Sequence, residues 1–286
     1  MITLSRRHFL VSACALASGG AQAQAETFTQ RCALLEGRHG GRLGVTIIDT
    51  ATNQEHAHRG DDRFAMCSTH KLLSASFALW RAERGEENMS RRVAYSKSDL
   101  VTWSPVTEKF TDAGMSVSQL CAAAMTLSDN TAANLLFASF GGPAGLTKFV
   151  RALGDYVTRS DRIEPELNEA TPGDLRDTST PRAFARTMRK LLVEDGLSAS
   201  SRAQLTQWLL DNKTGDDRLR AGLPTDWRVG DKTGTGEHNT TNDVAILWPP
   251  DRAPLIAVVF YAEADATLAQ RNAILANVAR IIPAIP

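Results

Sequence analysis

The chain has 286 residues, 43% of them apolar and 22% charged, the proportions of a packed globular protein. Thirty-two basic and thirty-two acidic side chains leave no formal net charge, so no global positive field draws a polyanion, and nucleic-acid binding is not expected. After residue 20 no apolar run reaches the roughly eighteen residues of a membrane-spanning helix, and no period of roughly 20–50 residues recurs, which sets aside a membrane-embedded body and a solenoid.

In chain order, residues 1–25 read as an export signal. Arg6-Arg7 stands free of acids, 9–17 is mildly apolar, and Ala21, Ala23 and Ala25 offer the small residues that a signal peptidase accepts. Ser5-Arg6-Arg7-His8-Phe9-Leu10 is similar to a bacterial twin-arginine signal, with an ordinary basic leader as the alternative. Cys14 fits a lipoprotein box only loosely. A periplasmic mature protein is expected, with no membrane attachment. It would keep Cys32, Cys67 and Cys121, an odd set too sparse for a disulfide framework. No clustered Cys/His spacing supports a metal; His56-Ala57-His58 reads as a strand edge or turn, and no cofactor is expected.

The pattern of 27–38 predicts a helix, and 42–49 a strand pairing with 53–60 across a polar turn. From 68 to about 207 nearly every segment has helical spacing. Strand signals return at 227–233, 243–248 and 255–261, before a last helix over 265–281. The fold class expected is α/β: an antiparallel sheet covered by the terminal helices, with an inserted all-helical lobe. Its units would be 26–65 with 211–286 for the α/β lobe and 66–210 for the helical lobe, including a loop over 162–177. A cleft between lobes would take a small molecule.

Four short stretches carry the chemistry. Ser68-Thr69-His70-Lys71 precedes an apolar periodic run, so Ser68 should open a helix with Lys71 on the same face. A serine needs a base to become a nucleophile, and a lysine with a lowered pKa can serve. Alone, the pattern also suits a helix cap followed by a surface lysine. Ser128-Asp129-Asn130 opens another helical segment, and Lys232-Thr233-Gly234 ends a strand. In this order the three motifs closely resemble those of the class A β-lactamases, within the penicillin-recognising serine enzymes, and the resemblance spans essentially the whole mature chain.

The resemblance implies a role for each site residue. In Arg162-Ile163-Glu164-Pro165-Glu166-Leu167-Asn168 the deacylating base would be Glu164 rather than Glu166, with Asn168 helping to hold the water. The Glu-Pro bond suits a cis or tightly turned backbone, and Arg162 and Asp177 would pin the neck of the loop. Ser68 would attack the β-lactam amide, with the backbone N–H groups of Ser68 and Thr235 as oxyanion hole. Lys71, or Glu164 through a water, would take the serine proton. Ser128 would relay a proton to the ring nitrogen, and Asn130 would bind the substrate amide. Lys232, Thr233, Gly234, Thr235 and Arg218 would seat the ring carboxylate, Thr241 standing where other members carry the arginine; a solvated helix charge is the alternative for Arg218. Trp103 would form an aromatic gate.

Some positions depart from family patterns. Cys67 matches one end of a disulfide found in some carbapenem-hydrolysing members, but Gly236 occupies the other end. Other members pair the counterpart of Cys121 with a cysteine on the nucleophile helix, where this chain has Ala75, so Cys67 and Cys121 are expected as buried free thiols. His70 replaces a frequent phenylalanine; the expectation is a core histidine with a satisfied hydrogen bond, the alternative a source of pH dependence near about 6.5. A D,D-peptidase should lack the Glu164/Asn168 pair, and a sensor domain should bring a transmembrane segment. The expected enzyme is a monomeric β-lactamase acting on penicillins and cephalosporins, conferring resistance.

Overall fold

The computed structural model describes residues 26–285; the export signal expected over 1–25, with Cys14, lies outside them. The helices are α1 (Phe28–His39), α2 (His70–Ala82), α3 (Val117–Thr126), α4 (Asn130–Ser139), α5 (Gly142–Ala152), α6 (Pro181–Leu192), α7 (Ala199–Leu210), α8 (Leu219–Gly222) and α9 (Leu268–Ile281). The strands are β1 (Arg42–Asp49), β2 (Glu55–His58), β3 (Phe64–Ala65), β4 (Arg92–Val93), β5 (Met115–Ser116), β6 (Thr178–Ser179), β7 (Arg228–Thr235), β8 (Thr241–Trp248) and β9 (Leu255–Ala262).

Five strands form one antiparallel sheet in the order β2-β1-β9-β8-β7. Its register sets Thr46 opposite Val258, Val258 opposite Val244, and Val244 opposite Lys232. The Lys232-Thr233-Gly234 motif therefore lies on the edge strand, open to a neighbouring element. Thr27 caps α1 and Thr267 caps α9, each in a reciprocal pair with a glutamine three residues on, so the last helix starts later than the 265 read from sequence.

Both faces of β1 are covered. Leu43, Val45 and Ile47 pack with Val259, Tyr261, Leu275 and Val278 beneath α1 and α9. Ile48 joins Val244, Ile256, Val258 and Phe260 in a second core that continues into α2, α3, α4 and α6. The residue that lets α6 approach is Gly44: a Cβ there would sit 2.4 Å from the Phe64 ring and 2.8 Å from Pro181. Amphipathic spacing reports that α6 has an apolar face, not which partner receives it.

The 68–207 stretch is also less helical than its spacing suggests. Two-residue strand pairs join β3 to β6 and β4 to β5. Among the described residues no helix is long and apolar enough to cross a membrane.

Phe184 on α6 is fully buried and meets Phe260 edge-on, ring centroids 5.8 Å apart. Phe184→Ala is expected to destabilise the fold by about 3–5 kcal/mol, read as a drop in the thermal midpoint; an unchanged midpoint would mean that α6 does not hold the sheet.

Candidate active site

Ser68 stands in a single turn of 3-10 helix, Cys67–Thr69, that runs into α2. Cys67 before it adopts a left-handed φ of 46°, a conformation that costs energy for a residue with a side chain and is concentrated at functional sites. β7 packs against this turn because residue 234 is glycine: a Cβ there would lie 2.8 Å from Met66 O and 3.2 Å from Thr69 Cγ2. The nucleophile turn and the strand edge thereby share one wall of a cleft.

Lys71, one turn below Ser68, is fully buried. Its Nζ donates to Ser68 Oγ at 2.8 Å, to Asn130 Oδ1 at 2.6 Å and to Ser128 O at 2.9 Å, and lies 2.9 Å from Glu164 Oε1. Ser128, at a left-handed φ of 58°, holds its hydroxyl between two amines: Lys71 Nζ at 3.3 Å and Lys232 Nζ at 3.1 Å. The adjoining Asp129 caps α4 and receives the Val106 and Thr107 backbone N–H groups, all at 2.9 Å, fixing the loop that carries Trp103.

The loop around Glu164 is built from both directions. Arg162 Nε meets Asp177 Oδ2 at 2.6 Å across its neck, and Arg162 also pairs with Glu169. The Glu164-Pro165 bond is cis; Glu164 is buried while Glu166 is exposed. Oε1 of Glu164 faces Lys71 and accepts from Ser68 Oγ at 3.4 Å, while Oε2 accepts from Asn168 Nδ2. Asn168 Oδ1 is buried and has no partner among the described residues.

Burial by itself would raise the Glu164 pKa, but the Lys71 charge and the His70 contact hold it well below the ordinary carboxylate range. For Lys71 burial dominates and lowers the amine, with Glu164 opposing. Lys232 is lowered well below the ordinary value by burial and then by the Lys71 charge. The arrangement sets a hydroxyl between a depressed amine and an ionised carboxylate, so a proton can leave Ser68 by a short path.

Arg218 is not a solvated helix charge. It is 5% exposed and donates to Gly234 O, Asn242 O, Thr235 Oγ1 and Asn272 Oδ1 at 2.6–3.0 Å, all neutral acceptors. Among the described residues neither Arg218 nor Lys232 pairs with a carboxylate within 4.0 Å. The two basic side chains beside Thr233 and Thr235, on which the buried Asp231 and Asp243 act only at longer range, can seat an anion. Thr241 instead receives Arg271 Nε at 2.8 Å.

Ser68, Trp103, Ser128, Asn130, Asn168, Arg218, Thr233, Gly234 and Thr235 line a single cavity of about 430 Å³. Trp103 is 60% exposed at its mouth, its indole N–H donating to Leu127 O. Leu268 and Thr214 also line it, positions the motifs did not single out. Sequence reasoning likewise missed Asn134, whose carboxamide brackets the Glu164 backbone, donating to its C=O at 2.8 Å and accepting its N–H at 2.9 Å. The available signal was spacing: Asn134 is four residues beyond Asn130 and shares its face of α4. Cys67 and Cys121 are buried free thiols, and an added Cβ at Gly236 would lie 2.6 Å from Cys67 Sγ.

Comparison with known proteins agrees with this constellation. A family model described as the beta-lactamase enzyme family matches residues 27–284. The chain is 48% identical to Beta-lactamase OXY-2 of Klebsiella oxytoca over 267 residues, 93% of this chain and 92% of that one. It is 46% identical to Beta-lactamase CTX-M-8 of Citrobacter amalonaticus over 282 residues, 98% and 97% of the two chains. Among solved structures it is similar to the ancestral (GNCA) class A beta-lactamase, with TM-score 0.89, 58% identity and 90% and 99% of the chains covered. The putative class A beta-lactamase PenP of Rhodopseudomonas palustris gives TM-score 0.90 and 56% identity, covering 91% and 100%.

Asn134→Leu removes both hydrogen bonds to the buried Glu164 backbone while keeping the number and branching of side-chain heavy atoms. The variant is expected to lose about 2 kcal/mol of stability, measured by chemical denaturation. A wild-type value would show that the bracket does not stabilise the loop.

Proposed function

The chain belongs to the class A β-lactamases and hydrolyses β-lactams, and from that premise we propose a two-step route through an acyl-enzyme on Ser68, with penicillins and cephalosporins as substrates. The observation that carries it is Lys71 Nζ within 2.9 Å of both Ser68 Oγ and Glu164 Oε1, all three buried. Ser68 attacks the lactam carbonyl as its proton passes to Lys71, once that amine has given a proton to Glu164, or toward Glu164 through a water. Backbone N–H groups of Ser68 and Thr235 receive the oxyanion; losing one such donor typically costs about 10²–10³ in rate. Ser128, between the two lysines, relays a proton from Lys71 to the ring nitrogen as the C–N bond breaks and the ring opens.

Lys232, Thr233, Thr235 and Arg218 bind the substrate carboxylate, Gly234 keeps the strand edge close to Ser68, and Asn130 and Trp103 hold the acylamino side. Water between Glu164 and Asn168 then attacks the ester; the unpartnered Asn168 Oδ1 supports a water there. That second step separates a hydrolase from a peptidase that remains acylated. With the 1–25 signal removed, the enzyme would act in the periplasm, ahead of the cell-wall targets of these antibiotics, and so confer resistance.

Glu164→Gln is expected to release about one equivalent of product and stop, with a covalent adduct on Ser68 seen by intact-protein mass spectrometry, because a positioned base contributes roughly 10²–10⁴. Sustained turnover by this variant would remove Glu164 from the deacylation step. Arg218→Ala is expected to raise KM for a carboxylate-bearing cephalosporin about tenfold or more with a smaller change in kcat; an unchanged KM would take Arg218 out of the anion seat.

A further inference from the structure

The two-step route gives no task to His70, a buried titratable side chain next to Lys71. His70 is 1% exposed, and its ring stacks on Phe137 of α4, centroids 5.1 Å apart and planes 13° apart. Its Nε2 lies 3.3 Å from Glu164 Oε1 and its Nδ1 3.3 Å from Ser74 Oγ. A neutral imidazole has one donor and one acceptor nitrogen. An ionised carboxylate can only accept, so Nε2 carries the proton and Nδ1 accepts from the Ser74 hydroxyl, which the four-residue spacing on α2 brings to the same face.

Resting on the assignment of Glu164 as deacylating base, we propose that His70 is a positioning residue whose Nε2–H, braced by Ser74 and Phe137, anchors Glu164 Oε1 and leaves Oε2 turned toward Asn168 and the attacking water. Lys71 makes the stronger contact to the same oxygen, but Lys71 also exchanges protons during the cycle. The imidazole is a second donor that stays in place whichever protonation state Lys71 holds. Burial keeps the ring below its ordinary pKa, and the nearby Lys71 charge disfavours a second proton; Glu164, and more weakly Asp177, pull the other way. Phe137 brings no charge from α4. The ring is thus neutral at and above neutral pH.

A donor to the charged form stabilises it, so removing the donor raises the pH at which Glu164 takes up a proton, and the acid limb of deacylation moves upward. His70→Phe keeps the ring stack and removes the donor, whereas His70→Gln can return an amide N–H near the Nε2 position. Acylation and deacylation are to be timed separately from about pH 3 to 8, by brief pH jumps at the acid end, for both variants of the intact enzyme. In His70→Phe the deacylation limb is expected to rise by about one pH unit, a roughly tenfold loss of rate on that limb, with KM and acylation at about pH 7 changed by less than about threefold. His70→Gln should restore the limb. If the two variants share one profile, wild-type-like or equally impaired, the donor role is overturned.

Nitrogen-15 NMR of the histidine ring in the unmutated enzyme covers variants that fail to fold. A proton on Nε2 is expected, and a proton on Nδ1 removes the donor and the proposal with it. Glu164→Gln separates this proposal from the reading it rests on. If that variant stalls as an adduct while His70→Phe keeps the wild-type limb, only the role of His70 falls; if it turns over freely, the base assignment itself falls.

Discussion

The site turns on one buried ion pair, Lys71 with Glu164, whose side chains are both fully buried at 2.9 Å. Removing two charges from water costs several kcal/mol per ion unless hydrogen bonds replace the solvent. The surroundings supply them. The three N–H groups of Lys71 meet Ser68 Oγ, Ser128 O, Asn130 Oδ1 and Glu164 Oε1, more acceptors than donors. Glu164 is held on its other oxygen by Asn168 and on its backbone by Asn134. The turn leading into α2, α4 with the turn before it, and the 162–177 loop bring these partners, which ties them to a single electrostatic requirement, and the sheet edge joins through Lys232 and Ser128 Oγ.

That requirement bears unequally on stability. Glu164 has a folded-state pKa below its unfolded value, so its contribution is present above the ordinary carboxylate pKa and is lost as pH falls through the lower, folded value. The two lysines run the other way. Burial lowers both, so at neutral pH their charged forms are less favoured in the fold than in the unfolded chain, and the remaining cores must offset that cost. Left-handed backbone at Cys67, Trp103, Ser128 and Asp177 adds to it. The buried lysines and these strained residues lie at or beside the site of the proposed chemistry, and two large apolar cores must offset them.

Much of this was legible in the residues. Three short motifs in order, and an acid four residues before an asparagine, were enough to nominate Ser68, Lys71, Ser128, Glu164 and Lys232, and the structure brings all five together. Local spacing also located the five strands of the main sheet to within a few residues. What spacing could not report were contacts between distant segments. Nothing in the α6 pattern says that its apolar face covers the second side of the sheet, nor does Arg218 announce that it is buried among carbonyls. His70 was legible as a core histidine, but its partner lies 94 residues away on a loop, and only the folded chain sets them side by side.

The charge on Glu164 in the free enzyme is the most direct measure of this organisation. Carbon-13 NMR of glutamate carboxyl groups, assigned by comparison with Glu164→Gln, follows its titration through the acid range. A carboxylate that stays ionised until well below the ordinary value of about 4.3 is what a buried pair with Lys71 requires. A midpoint above that value, between about 5 and 7 as burial alone would produce, would mean that Lys71 and Glu164 face each other as neutral groups and that the site is not organised around an ion pair.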